Sequence, residues 1–178
     1  GYGGGTILKS TNGSVFSVQH TIDNAGRIEI ALSSTDSAKL FVLAQGTTST
    51  TPIIMQKTED AFATTTAMAL PNDADSGIPF NDFTRGQAGY DLVLEIDPTN
   101  DAILYVGGIH LFRSADAGTN WSQMSKWSNN NNLGGLGIPT VHADQHILIF
   151  NPGDANQGIF GNDGGIYFGS SLSDASSS

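Results

Sequence analysis

Residues 114–121 read Ser-Ala-Asp-Ala-Gly-Thr-Asn-Trp, and this order of residue types is typical of a tight turn with a hydrophobic anchor. The side chain of Asp116 can accept backbone N–H groups inside such a turn, as can the hydroxyl of Ser114. Gly118 permits a positive φ angle, and Trp121 is large enough to fix the hairpin to a core. These residues predict a β-hairpin turn whose role is structural.

The turn recurs along the chain. Residues 10–16, Ser-Thr-Asn-Gly-Ser-Val-Phe, form a shorter copy, and a more divergent copy begins at Thr58. Each copy follows a short apolar segment, and a fourth such segment leads to Ser170, so the pattern repeats at intervals of roughly 50 residues. A strand, a polar turn and a second strand precede three of these segments. The first strand of each pair is apolar on both faces, as in a strand buried between two layers.

Four strands in roughly 50 residues is the unit of a β-propeller, and a β-sandwich would not produce this repeated pattern. We therefore predict an all-β protein, a β-propeller of four-stranded antiparallel blades joined by these hairpins. About three blades are visible, in one partial domain over residues 1–178, with blade units at roughly 1–20, 21–70, 88–128 and 141–178. Propellers usually have about 4 to 8 blades, so we expect both ends to continue in the full protein.

The 114–121 motif resembles the Asp-box of bacterial neuraminidase repeat (BNR) propellers, which include sialidases, sortilin-type receptors and xyloglucanase-like glycosidases. Residues 161–167 and 141–146 resemble segments of large Asp-box propellers of Bacteroidota. The resemblance implies an Asp-box on the outer rim, away from propeller active sites. It also implies an extracellular or cell-surface protein that a Gram-negative bacterium exports through the type IX secretion system, with the export machinery as one partner.

Composition narrows the range of partners. Acidic residues outnumber basic ones by 17 to 7, which gives a net charge of −10 and argues against nucleic acid as a ligand. Cysteine is absent, which excludes a disulfide framework and thiolate metal sites. No apolar run approaches the roughly 20 residues of a membrane span, so we expect no membrane insertion of this segment.

Polar residues stand where the inner strands of the predicted blades begin, beside the central channel of a propeller. Aligning the repeats puts Arg27, Asp91 and Gln145 at equivalent positions there. The candidate ligand-binding residues are Arg27, Tyr90, Asp91, Trp127, His142, Asp144 and Gln145. Trp127 adjoins a long polar loop and has a ring that can stack on a sugar. A solvated, water-filled channel rim is the alternative interpretation.

Two groups of residues contain side chains that can act as metal ligands. His142, Asp144 and His146 alternate in sequence and would share one face of a strand. The repeat alignment instead puts His146 at a core position, which favours a hydrogen-bonded structural histidine. Asn162 and Asp163 can offer oxygens to Ca²⁺, although a tight turn accounts for the same residues. We expect no cofactor, and Ca²⁺ at Asn162 and Asp163 is the one metal hypothesis.

The catalytic candidates are Asp91 and Asp144, because glycosidases need two carboxylates across the scissile bond. Their sequence context gives no sign of a raised pKa. The resemblance implies three arginines around the substrate of a sialidase, whereas this chain has only Arg27, Arg85 and Arg113. We therefore favour a non-catalytic recognition or scaffold propeller that binds glycan or protein through its face loops. A xyloglucanase-like glycoside hydrolase acting on polysaccharide is the alternative.

Overall fold

The computed structural model describes residues 4–174, and nearly all of the regular structure in that range is β-strand. The strands form four antiparallel sheets, two of them four-stranded, which confirms the predicted all-β class. A single turn of 3-10 helix, Asn131–Gly135, interrupts the loop between the third and fourth sheets. Within residues 4–174, no helix has the length and apolar character needed to cross a membrane.

Every sheet is a meander in which each strand pairs with the next one along the chain. Sheet 1 contains β1 (Gly5–Lys9) and β2 (Ser17–Ile22). Sheet 2 contains β3 (Ala25–Leu32), β4 (Leu40–Thr48), β5 (Thr51–Thr58) and β6 (Thr66–Ala67). Sheet 3 contains β7 (Val93–Ile96), β8 (Leu104–Gly107), β9 (Leu111–Ser114) and β10 (Ser122–Gln123). Sheet 4 contains β11 (Gln145–Asn151), β12 (Asp154–Asn162) and β13 (Gly165–Gly169).

The first strands of sheets 2, 3 and 4 lie next to one another. Strand β7 contacts β3 on one side and β11 on the other. Meander sheets that adjoin through their first strands have the arrangement of propeller blades around a channel. Strands β3, β7 and β11 are therefore the inner strands, and the places where they begin lie close together.

Hydrophobic layers fill the spaces between neighbouring sheets. Phe41 and Met55 of sheet 2 pack with Leu94 of sheet 3, and Val93 of sheet 3 packs with Leu148 of sheet 4. Successive side chains of a strand point to opposite faces, so Val93 and Leu94 enter different layers. This double burial explains why the inner strand β7 is almost entirely apolar.

Sheet 4 is covered on one face only. On its other face, the exposed apolar side chains are Ile147, Ile149, Ile159, Ile166 and Phe168. The sequence predicted that the first strand of each pair is buried on both faces. In β3, however, Ile30 and Leu32 are exposed, and β11 also differs from that prediction. The reason is that sheet 3 packs against one side of sheet 4 and no other described sheet packs against the opposite side.

Candidate functional site: a polar cluster where the inner strands begin

The polar residues predicted at the starts of the inner strands do come together. Arg27 is the third residue of β3, Asp91 lies two residues before β7, and Gln145 is the first residue of β11. Tyr90 and Asp144 flank them, as the repeat alignment indicated. We call Arg27, Tyr90, Asp91, Asp144 and Gln145 the strand-start cluster.

Arg27 ties sheet 2 to sheet 3 within this cluster. Its guanidinium donates to the carbonyl oxygens of Tyr90 and Leu92, the latter at 3.0 Å. It also pairs with Glu29 at 2.8 Å. These hydrogen bonds use the guanidinium to hold the segment of chain just before β7 in position.

Asp91 is fully buried, and neither of its carboxylate oxygens has a hydrogen-bond partner. Burial, together with the nearby charge of Asp144, raises the pKa of Asp91 to about 8, against smaller opposing effects of its own backbone N–H and of Arg27. Burial disfavours the ionised form of a carboxyl group, so this side chain is mostly neutral at pH 7. The sequence context had shown no sign of a raised pKa, and that expectation was wrong because burial of the side chain is set by the packing of three sheets.

Asp144 and Gln145 occupy the corresponding position on sheet 4. Asp144 has a φ of 65°, and its Oδ1 is buried without a partner. The amide of Gln145 is fully buried and donates to the carbonyl oxygens of His142, at 2.6 Å, and Ile109. Asn162 donates to Gln145 Oε1 at 3.4 Å. The polar side-chain atoms of Gln145 are thus hydrogen-bonded inside the protein and are not directed at a ligand.

Three side chains form an exposed surface beside the buried part of the cluster. The hydroxyl of Tyr90 donates to the carboxylate of Asp163, 2.9 Å from each oxygen, and His146 Nε2 donates to the same carboxylate at 2.7 Å. The rings of Tyr90 and His146 meet edge to face, with centroids 5.0 Å apart. Half of Tyr90 is exposed. We call Tyr90, His146 and Asp163 the Tyr90 platform.

The electrostatics of the platform follow from these bonds. The two donors, His146 first and then Tyr90, lower the pKa of Asp163, so its carboxylate is ionised. Donation to that carboxylate raises the pKa of Tyr90 and keeps its hydroxyl protonated. The platform is therefore an aromatic surface next to a fixed negative charge.

His142, Asp144 and His146 do not share one face of a strand, and His146 does not lie in the core, so both placements predicted from the sequence differ from the structure. Strand β11 begins at Gln145, so His142 and Asp144 precede it, and the three residues do not alternate along one strand. The pairing of β11 with β12 shifts between Gln145 and Ile147, and such an irregularity redirects the side chain at its centre. His146 is therefore exposed on the platform and not in the core, where the repeat alignment had put it.

At the Ca²⁺ site hypothesised from the sequence, side-chain oxygens of Asn162 and Asp163 already accept hydrogen bonds from within the protein. Asp163 is occupied by Tyr90 and His146, while Asn162 Oδ1 accepts the backbone N–H of Gly164 at 3.0 Å. Among residues 4–174, no group of three or more His, Asp or Glu side chains is arranged to hold a metal ion. The exposed ring of His142 packs against Gly164, where a side chain would collide with it.

Trp127 lies outside the cluster. It follows β10 in the loop that leads to the 3-10 turn, and about half of its side chain is exposed. The backbone of the preceding residue, Lys126, is bonded to Pro139 and Val141, each at 3.0 Å, so Trp127 lies beside the segment that leads to His142. Its exposed ring is not one of the three side chains that form the Tyr90 platform.

The Ser114–Asp116 turn lies at the opposite end of sheet 3. Ser114 pairs with Leu104, which pairs with Ile96, the last residue of β7. Asp116 Oδ1 accepts the backbone N–H groups of the next turn of chain at 2.8 and 3.0 Å, and these bonds lower its pKa to about 2. Gly118 has a φ of 80°. Trp121 packs against the layer between sheets 2 and 3 and donates its indole N–H to a backbone carbonyl at 2.9 Å.

The two divergent turns use the same bonding pattern. Ser10 and Asn12 accept backbone N–H groups two or three residues further along, at 2.8 to 3.3 Å. Thr58 and Asp60 accept backbone N–H groups two or four residues further along, at 2.8 to 3.3 Å. A hydroxyl at the strand end and an oxygen acceptor two residues later are thus the shared feature, while the glycine and the aromatic residue vary.

A buried ionic group connects the loop between β6 and β7 with the β8–β9 turn, and no sequence pattern predicts it. Arg85 donates to buried Asp73 at 2.9 and 3.1 Å, contacts Asp75 at 3.1 Å, and donates to His110 Nε2 at 3.1 Å. Burial lowers the pKa of His110 to about 4, so the ring is neutral at pH 7. The partners match no sequence motif, and Asp73 and His110 are far apart in the chain.

Comparison with solved structures identifies the fold as a β-propeller. A GH74 enzyme from Niastella koreensis matches 80% of this chain at 19% identity, with a TM-score of 0.51. The GH74 xyloglucanase from Xanthomonas campestris matches 84% at 17% identity and a TM-score of 0.55. YCF48 from Cyanidioschyzon merolae matches 93% at 15% identity and a TM-score of 0.54. These likenesses confirm the predicted fold.

The chain spans only part of each of these structures: 21% and 23% of the two GH74 proteins and 44% of YCF48. No family model matches the sequence, and no curated protein is significantly similar to it. At these identities the likeness establishes a β-propeller and leaves the function to the site itself.

Proposed function

We propose that this chain belongs to a non-catalytic recognition propeller, and that the Tyr90 platform binds a neutral glycan. The observation that supports the proposal most directly is the exposed Tyr90 ring, which a bifurcated hydrogen bond to Asp163 and an edge contact with His146 hold in one orientation. A ring that is ordered before binding loses little conformational entropy when a ligand stacks on it.

The chemistry of the platform fits a polyhydroxyl ligand. The face of an aromatic ring packs against the C–H surface of a sugar, and the Asp163 carboxylate can accept hydrogen bonds from hydroxyl groups. The net charge of −10 disfavours acidic glycans, because like charges repel. Arg27 lies beside the platform, but its guanidinium is already bonded to main-chain carbonyls and Glu29.

Binding to a panel of neutral polysaccharides, measured by calorimetry, tests this function. We expect saturable binding that Tyr90→Ala reduces at least about tenfold, consistent with loss of a stacking residue. Trp127→Ala removes an exposed aromatic ring outside the platform and should leave the affinity unchanged. Absence of glycan binding, or equal binding by Tyr90→Ala, would refute the proposal. Capture of a protein ligand that depends on Tyr90 would assign the platform to protein recognition instead.

One observation favours a second function, glycoside hydrolysis. A glycosidase acid must stay protonated near neutral pH, and the raised pKa of Asp91 meets that requirement, with Asp144 as its predicted partner. Against it, Asp91 is fully buried and its oxygens have no access to a substrate. Release of new reducing ends that is lost in Asp91→Asn and retained in Asp116→Asn, at the opposite end of sheet 3, would establish the hydrolase.

We also propose that the protein is exported to the surface of a Gram-negative bacterium through the type IX secretion system. The support is the resemblance of residues 114–121, 141–146 and 161–167 to exported Asp-box propellers. Fractionation of the source cells with an antibody against this chain tests the location, and recovery of the protein only from the cytosol would refute it.

A further inference from the structure

Three carboxylate oxygens in the strand-start cluster are buried and have no partner. They are both oxygens of Asp91 and Oδ1 of Asp144. The two side chains come from the starts of neighbouring inner strands, since β7 contacts β11. Oxygens of this kind are costly to bury alone, because a carboxylate loses its hydration without gaining a hydrogen bond.

The polar groups nearby do not satisfy these oxygens. The Gln145 amide donates to two backbone carbonyls, and the Arg27 guanidinium donates to backbone carbonyls and Glu29. Tyr90, whose backbone adjoins Asp91, directs its hydroxyl to Asp163. The neighbouring donors are thus already used, and Arg27, whose charge acts on Asp91, forms no hydrogen bond with the three oxygens.

We propose that Asp91 and Asp144 bind a divalent cation of the Ca²⁺ class, which joins the third and fourth sheets where their inner strands begin. Hard cations prefer carboxylate and carbonyl oxygens, and Ca²⁺ accepts bidentate carboxylates. Two aspartates supply three ligands, and main-chain oxygens and water supply the remaining ones, as in sites with few side-chain ligands. A monatomic ion suits oxygens that are closed to solvent, whereas an ammonium group on a chain would need an open path.

This site differs from the sequence hypothesis of Ca²⁺ at Asn162 and Asp163. The oxygens of Asp163 already accept hydrogen bonds from Tyr90 and His146, whereas those of Asp91 accept none. The cation would stiffen the support of the Tyr90 platform without touching its exposed face. The inference is therefore independent of the ligand that the platform binds.

Terbium luminescence provides a direct test on the full chain. Tb³⁺ replaces Ca²⁺ at oxygen sites, and Tyr90 lies beside Asp91, close enough to sensitise its emission. We expect emission upon excitation of tyrosine that Ca²⁺ suppresses by competition. Asp91→Asn and Asp144→Asn should each weaken Tb³⁺ binding at least about tenfold, because each removes a charged ligand. Asp163→Asn, which changes an equal charge on the platform, should retain binding.

Thermal unfolding gives a second readout that does not depend on Tyr90. Ca²⁺ at about 100 times its Kd should raise the Tm of the unmodified chain by about 5–10 °C relative to EDTA, and Asp91→Asn should abolish the rise. Asparagine has nearly the size of aspartate, so this variant is expected to fold. The proposal is overturned if Ca²⁺ leaves Tm unchanged, if Asp91→Asn keeps the full rise, or if Asp163→Asn alone loses it. An equal loss in all three variants would indicate diffuse attraction to an acidic surface and would also overturn it.

Discussion

At the scale of single residues, Asp91 illustrates how burial changes the chemistry of a carboxyl group. Its pKa is about 8 in the folded chain, whereas an aspartate in an unfolded chain has a pKa of about 3.9. Between these values the folded state holds a proton that the unfolded state releases. The free energy of unfolding should therefore fall as the pH rises from about 4 to about 8 when no divalent cation is present.

Replacing Asp91 tests this reasoning. In EDTA, we expect Asp91→Asn to flatten the fall in stability between pH 4 and pH 8 and to raise Tm at pH 8, because the amide never ionises. Urea unfolding at several pH values measures the effect. Asp23→Asn, in the exposed turn between β2 and β3, serves as a control of equal charge change. A pH dependence that is identical in Asp91→Asn and the unmodified chain would contradict the raised pKa.

Asp116 has the opposite linkage. Hydrogen bonds from Asn120 lower its folded pKa to about 2, below the unfolded value of about 3.9. Its contribution is therefore fully present above about pH 4 and is lost as the pH falls toward 2. Asp116→Ala should destabilise the chain by about 1 kcal/mol at pH 7, the typical cost of losing such a capping acceptor.

Asn12 suggests the matched control for that prediction. It accepts the same kind of backbone bonds in the first turn without a charge. Asp116→Asn should therefore keep most of the stability at pH 7 and lose only the dependence between about pH 4 and pH 2. Chemical denaturation measures the free energy of unfolding of Asp116→Ala and Asp116→Asn at pH 7. An equal loss of stability in the two variants would show that the charge of Asp116 matters and its geometry as an acceptor does not.

At the scale of elements, Trp121 links the β9–β10 hairpin to the layer between sheets 2 and 3. Its ring is partly buried among core side chains, and its N–H reaches Ala69 at 2.9 Å. We expect Trp121→Ala to cost roughly 3 kcal/mol, toward the lower end for large aromatic residues because the ring is not fully enclosed. Trp127→Ala, at an exposed position, should change stability by less than about 0.5 kcal/mol. Equal effects of the two variants on Tm would refute the anchoring role.

The loop between β6 and β7 is held by charge as well as by packing. Arg85 is bonded to buried Asp73, and it also donates to His110 in the β8–β9 turn. Arg85→Met removes the guanidinium and leaves Asp73 buried without its counter-charge, so we expect a loss of about 3 kcal/mol. The double variant Arg85→Met with Asp73→Asn should recover part of that loss. A double variant less stable than Arg85→Met alone would contradict this account.

The sequence predicted those features that depend on local spacing or on the repeat. The hydroxyl-and-acceptor turns were predictable because all their hydrogen bonds lie within a few residues. The strand-start cluster was predictable in outline, since equivalent positions in a repeat occupy equivalent places in space. The contact of Tyr90 with Asp163 was not, because it crosses between sheets and depends on a pairing irregularity at His146.

At the scale of the whole molecule, the open face of sheet 4 is the feature from which we predict self-association of the chain. Its exposed apolar side chains are Ile147, Ile149, Ile159, Ile166 and Phe168. The corresponding face of sheet 3 presents Val93, Tyr105 and Leu111, and these are buried against sheet 4. The same kind of face is thus covered at one position in the fold and uncovered at the next. Contiguous exposed apolar surface of this kind favours association.

We therefore expect the isolated chain to self-associate and to bind a hydrophobic dye such as ANS. The double variant Ile166→Lys with Phe168→Lys should reduce both effects, because it places charge on the open face without disturbing a buried side chain. Thr65→Lys adds charge at an exposed position on sheet 2's side of the molecule and should leave both effects unchanged. Light scattering and dye fluorescence across a concentration series distinguish these outcomes. A chain that stays monomeric and dye-free, or that responds equally to Thr65→Lys, would show that the open face does not drive association.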